Sequence, residues 1–201
     1  MSGESLTDGL VVASDGSGPL LQRDYWAVIA GCRLAPPELA DLVAANFATF
    51  APEALVHFRP SGETTAAQPL SVGDELDVSI RLAGSCRVRV VHRDRNSLTL
   101  GTVEGHPEAG RITFGAYRND GGDVVFHIRS RARASSELRW AGFVAAGEPM
   151  QTTTWTDFID RLAHTTGDGV AGVIHAETCE IDDETDDPAT TRSPTFVAVG
   201  E

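Results

Sequence analysis

The chain has no lysine: all 16 of its basic residues are arginine, against 29 acids, for a net charge of −13 over 201 residues. That balance argues against nucleic acid as a partner, because phosphate binding needs a basic field and this one repels. A GC-rich genome, which prefers arginine codons, accounts for the missing lysine. A halophilic cytoplasm accounts for the acidic excess too, since at molar salt the Debye length falls to roughly 3 Å and self-repulsion is screened. The halophilic reading is the favoured one. Paired cysteines are absent as well: Cys32, Cys86 and Cys179 are far apart, and an odd count argues against a disulfide framework. No apolar run approaches the roughly 20 residues that span a bilayer. The opening MSGESLTDGL lacks the basic-then-apolar pattern of a secretory signal. A soluble cytoplasmic protein is expected, with no membrane association.

Familiar catalytic signatures are missing too. There is no G-x-S-x-G and no P-loop, so acyl transfer and phosphate cradling have no support. The six histidines show no H-E-x-x-H spacing. His175, Glu177 and Cys179 alternate, but three ligands of mixed softness on a tail make a poor metal set. No metal or cofactor is expected, and the cysteines read as small core residues.

What is present is a pattern of strands. From Asp74 the apolar period switches to two, with Leu76, Val78, Ile80 and Leu82 alternating against Glu75, Asp77, Ser79 and Arg81. Cys86, Val88 and Val90 continue it, followed by Leu98–Val103. Pro107-Glu108-Ala109-Gly110 reads as a four-residue loop built on a type I turn, and Asn119-Asp120-Gly121-Gly122 as the next hairpin turn. In the last strand of this meander Val124, Phe126 and Ile128 face one way; His127, Arg129, Arg131 and Arg133 face the other.

Around this meander lie helical segments. Tyr25–Ala30 is a short first strand, and Pro36-Pro37 opens a helix carrying Leu39, Leu42, Val43, Phe47 and Phe50. A second short helical piece is expected over 52–58, making an N-terminal helical pair. Trp155, Phe158, Ile159 and Leu162 predict a C-terminal helix over about 153–164. Residues 170–176 either follow its end at Gly167-Asp168-Gly169 or resume it. Three regions result: a flexible N-terminal segment (1–20), a single α+β domain (21–178) and an acidic tail (179–201) with the composition of a solvated segment. The charge follows this division, with 11 arginines against 9 acids in residues 74–139 and 8 acids against one arginine in 177–201. A curved antiparallel sheet with the helices on one face buries these stripes economically, and a sheet curled round the last helix gives a helix-grip cup.

The block Leu98–Phe114, with Gly101-Thr102-x-x-Gly105-His106-Pro107-x-x-Gly110, together with Val72-Gly73 and the hairpin that follows, resembles a plant and prokaryotic family classed only as a domain of unknown function. The resemblance spans roughly 23–165 and is strongest over 72–133. In the first helix family members carry a Trp and a His where this chain has Ala45–Phe50. In element order that family is similar to the START and birch-pollen-allergen-like (SRPBCC) superfamily. The resemblance implies a cup, since members of that superfamily commonly hold lipids, steroids or polyketides.

Candidate site residues follow. His106 is held extended by Pro107 and flanked by glycine. It reads either as a ligand contact or acid–base group, or as a turn residue whose ring bonds a backbone carbonyl. Tyr117, Phe114, Trp140 and Trp155, with Phe143 and Phe158, line either a cup or an ordinary core. Gly101, Gly105, Pro107 and Gly110 form the turn signature. Arg87 and Arg89 with His127, Arg129, Arg131 and Arg133 make a face that receives an anion or forms cross-strand pairs with Glu75 and Asp77. The favoured function is a non-enzymatic module binding a small apolar ligand, a lipid or metabolite, between sheet and C-terminal helix. The alternatives are a cyclase, dehydratase or hydrolase using His106 with Tyr117 or an Arg, and a filled-core interaction protein. Oligomeric state is left open.

Overall fold

The computed structural model describes residues 7–62, 68–81 and 84–182, with the backbone alone over 137–148. Alternation is the rule that builds it. In β3 (Glu75–Ile80) Leu76 and Val78 are buried while Asp77 and Ser79 are exposed, and in β4 (Gly84–Arg93) Val88 and Val90 are buried. β5 (Ser97–Thr102), β6 (Glu108–Arg118) and β7 (Val124–Ala134) continue the meander, and all neighbours pair antiparallel. β1 (Ser17–Ile29) returns beside β7, with β8 (Val170–Ile181) outside it and β2 (Val56–Ser61) at the other edge. The result is one open, curved, eight-stranded antiparallel sheet in the order β2-β3-β4-β5-β6-β7-β1-β8. Pro60 lies in edge strand β2, where a missing N–H does least harm.

Both helices lie on one face of the sheet. α1 (Pro36–Phe50) starts with two prolines in its first turn, and the Glu38 carboxylate accepts the Ala35 N–H at 2.8 Å. Its Phe47 and Phe50 meet Phe58, Phe114 and Phe158 in an aromatic cluster. α2 (Glu137–Thr166) closes the concave side, burying Phe158, Ile159, Leu162 and Ala163 against Tyr25, Ala27, Phe126 and Ile128. Among the described residues no helix is long and apolar enough to cross a membrane.

Several expected boundaries move, each for a physical reason. The second helical piece over 52–58 is a single turn closed by Pro52, after which β2 begins; the bend in α1 falls instead at Asn46. α2 starts at Glu137 rather than near 153; Gly142, Gly147 and Pro149 depress the helix propensity of its first half and hide it from the apolar pattern. Residues 170–176 belong to β8, a mostly exposed edge strand that lacks the buried alternation by which strands are recognised. β1 runs well ahead of Tyr25, its period of two masked by a charge at an inward position, Arg23. The turn between β5 and β6 sits at Val103–His106, with the His106 N–H donating to the Val103 carbonyl, and not at 107–110. Gly110 is then a strand residue with φ +151°, and a Cβ there would drive into the Arg131 carbonyl of β7.

Candidate functional site

Between the concave face and α2 lies a cavity of about 100 Å³. Its apolar wall is supplied by Phe58, Val78, Val88, Leu100 and Ile112 from the sheet and Trp155 from α2. These are the inward positions of strands whose outward positions are polar, so the wall follows from the alternation itself.

The polar lining is Thr102, His106, Glu108, Arg111, Ser130, Gln151 and Thr154, and Glu108 belongs to a buried ion pair. Arg23 points inward from β1 and is 1% exposed; its guanidinium reaches the Glu108 carboxylate at 3.3 Å. Gln151 from α2 donates its amide to the other Glu108 oxygen at 2.7 Å. A charge buried alone would be prohibitively costly, so these three side chains depend on one another. Ser130 faces Arg23 across the β7–β1 pair and also lines the cavity. Among the described residues, Ser130 Oγ and Gln151 Oε1 are fully buried with no hydrogen-bond partner. Thr102 and Thr154 are satisfied by backbone carbonyls: Thr102 of Val11 at 2.8 Å, Thr154 of Met150 at 2.8 Å.

His106 lies on the cavity wall. Its Nδ1 is 3.0 Å from both the backbone N–H and the backbone carbonyl oxygen of Glu108, so the ring is tied to the main chain of the segment it shapes. The turn geometry and the cavity position therefore hold together. Pro107 shapes this segment through its carbonyl, which takes the Ser135 N–H at 2.9 Å. Gly105 has φ +91° in open space, whereas Gly101 is hemmed in by Val91, 2.9 Å from where a Cβ would stand.

The other expected contacts are dispersed. Trp155 lines the cavity; Phe114 is buried behind it, edge-on to the Trp155 ring at 5.4 Å. Phe158 belongs to the core. Trp140 and Phe143 lie outside the described side chains. Tyr117 is on the opposite face of the sheet, paired with Val125 and near His127, so the sheet separates it from His106. Burial raises the Tyr117 phenol above its ordinary value, while the charge of Arg129 works against that rise.

That opposite face carries the arginines, and much of it is paired. Glu75 takes Arg87 at 2.8 Å and Arg89 at 2.6 Å; its burial works to raise its pKa, but the two guanidiniums hold it below the usual carboxylate value. Asp24 accepts from His127 and from Arg129, each at 2.6 Å. Its burial opposes ionisation, yet these two partners outweigh it and lower its pKa. Among the described residues no three His, Cys, Asp or Glu side chains converge as a metal set.

Sequence reasoning missed Arg23, Glu108, Gln151 and Ser130. Arg23 offered a signal, a charge within the otherwise inward-facing row of a strand; Gln151 offered none.

The curved sheet and its helices are shared with solved proteins of low sequence identity. Norcoclaurine synthase from Thalictrum flavum, solved with dopamine and hydroxybenzaldehyde, superposes with TM-score 0.52 at 11% identity, over 82% of this chain and 93% of that one. Major latex-like protein 151 from Panax ginseng gives 0.51 at 12%, over 74% and 99%. The di-domain aromatase/cyclase StfQ of steffimycin biosynthesis gives 0.50 at 10%, over 78% of this chain and 52% of that one. At such identities the likeness establishes the fold. No curated protein sequence matches the chain. Residues 42–164, more than half of its length, match the model of a domain of unknown function, DUF1990, and the chain belongs to that family.

Proposed function

We propose that this protein binds a small, neutral, largely apolar molecule in the cup between the sheet and α2. The observation that carries the reading is the cavity of about 100 Å³, apolar on one side and polar at the Glu108–Ser130–Gln151 end. Its size narrows the ligand class. A buried cavity of roughly 150 Å³ holds a benzene molecule, so this space suits a single ring or short chain better than a steroid or full lipid. The superposing proteins include two whose names denote small-molecule chemistry, a synthase and an aromatase/cyclase, which supports a ligand in this place. The lysine-free acidic surface supports a halophilic, cytoplasmic setting.

The test is extraction and mass spectrometry of the purified protein beside an Ile112→Trp variant, whose indole fills the cavity. A stoichiometric small metabolite is expected in the wild type and absent from the variant. The same metabolite in both would place binding elsewhere.

A second reading, an enzyme with His106 as acid–base group, is favoured by the place of the imidazole on the cavity wall. Tyr117 stands on the other face of the sheet, and the charged groups that line the cavity with His106 are Glu108 and Arg111. Conversion of the extracted metabolite by wild type and not by His106→Ala would establish it; retention of the unchanged metabolite by both leaves a binding module.

A further inference from the structure

Resting on the cup as a ligand site, we propose that it selects its ligand by a hydrogen-bond donor: a small neutral alcohol or phenol whose hydroxyl meets Gln151 Oε1 and Ser130 Oγ. The orientation of Gln151 decides the first contact. The Glu108 carboxylate, ionised beside the Arg23 guanidinium, only accepts, so the Gln151 NH₂ must face it at 2.7 Å. The other end of that amide, Oε1, is then an acceptor and nothing else, and it is buried without a partner among the described residues. Ser130, 5% exposed, adds a second buried polar oxygen on the same cavity. Buried polar atoms are ordinarily satisfied, so a ligand that donates here corrects two deficits at once.

The surroundings restrict the rest of the molecule. Glu108 and Arg111 both line the cavity, so a charged ligand of either sign meets a like charge and loses its hydration. A pure hydrocarbon would fill the apolar wall of Phe58, Val88, Leu100 and Ile112 but leave both oxygens unpaired. An ordered water could also satisfy them, and the experiment must separate these cases.

Phenol, toluene and benzoate are titrated into the full chain by calorimetry, with NMR to confirm the site. Phenol is expected to bind at least tenfold tighter than toluene, and tighter than benzoate, which has no donor. Ser130→Ala and Gln151→Met are each expected to reduce phenol affinity severalfold while leaving toluene unchanged. Should Gln151→Met fold poorly, Ser130→Ala still decides, since it removes one oxygen and no hydrogen bond. Toluene binding as tightly as phenol, or phenol affinity indifferent to both substitutions, overturns the donor rule while the cup stands. If neither ring binds, the cup itself fails and the donor rule with it.

Discussion

Arg23 and Asp24 are neighbours in β1 and point to opposite faces of the sheet, each at the centre of a buried charge cluster. On the convex side Asp24 is saturated. One oxygen takes His127 and Arg129 and the other takes the Gln22 amide at 2.8 Å; Gln22 in turn accepts Arg131 with its own oxygen at 2.8 Å. On the concave side Glu108 takes Arg23 and Gln151, but among the described residues the oxygen of Gln151 has no hydrogen-bond partner. Two glutamines hold two carboxylates, and one uses both ends of its amide where the other uses one. The Asp24 cluster, closed at its carboxylate and its glutamine, joins β7 to β1; the Glu108 cluster, open at its glutamine, borders a cavity. Buried charge by itself does not mark a site. Unused hydrogen-bonding capacity beside a cavity does.

The largest effect that would sharpen this contrast is expected from Glu108→Leu. It leaves Arg23 buried without its carboxylate, and unfolding free energy measured with urea should fall by about 3–5 kcal/mol. The double variant Arg23→Met/Glu108→Leu should recover most of that loss. A single variant as stable as wild type would break the claim that the pair is mutually dependent.

On the convex side Asp24→Asn should cost about 2–3 kcal/mol at neutral pH, weakening charged hydrogen bonds from His127 and Arg129. Its folded pKa lies below the ordinary value of 3.8, so its stabilisation is complete above about pH 4 and fades as the pH falls through the folded value. Wild-type stability should therefore drop in acid more steeply than that of Asp24→Asn. Parallel pH profiles would contradict the assignment.

The two glutamines give the sharpest comparison of all. Gln22→Met removes the donor to Asp24 Oδ2 and one acceptor of the Arg131 guanidinium, for an expected loss of about 1–3 kcal/mol. Gln151→Met removes one bond to Glu108 together with an unsatisfied oxygen, and should cost less than about 1 kcal/mol. Ser130→Ala should be smaller still, neutral or slightly stabilising. Equal costs at Gln22 and Gln151 would erase the distinction between closed and open clusters. Salt tests the charge reading separately: a halophilic chain gains stability from low salt to molar KCl, whereas an unchanged midpoint would leave codon preference as the reason for the missing lysine.

How much of this was legible depends on where alternation survives. β3, β4 and β7 carry clean periods of two, and their strands fall where the pattern puts them. β1 hides its length because Arg23 occupies an apolar register position, from which it pairs with Glu108. The first half of α2 hides behind two glycines and a proline. His106 and Trp155 are readable as candidates, and both line the cavity; Tyr117, readable as lining a cup or a core, stands on the other face, since sequence gives residue type but not which side of a strand faces the helices. Gln151 acquires its meaning only from Glu108, 43 residues away, a contact that the fold makes and no local pattern announces.

The most direct measurement follows the two glutamine side-chain amides by NMR while phenol is added. The account predicts that the Gln151 NH₂ resonances shift and saturate with ligand while those of Gln22 stay in place. Gln151 stationary in the presence of bound phenol, or both amides moving alike, would contradict it.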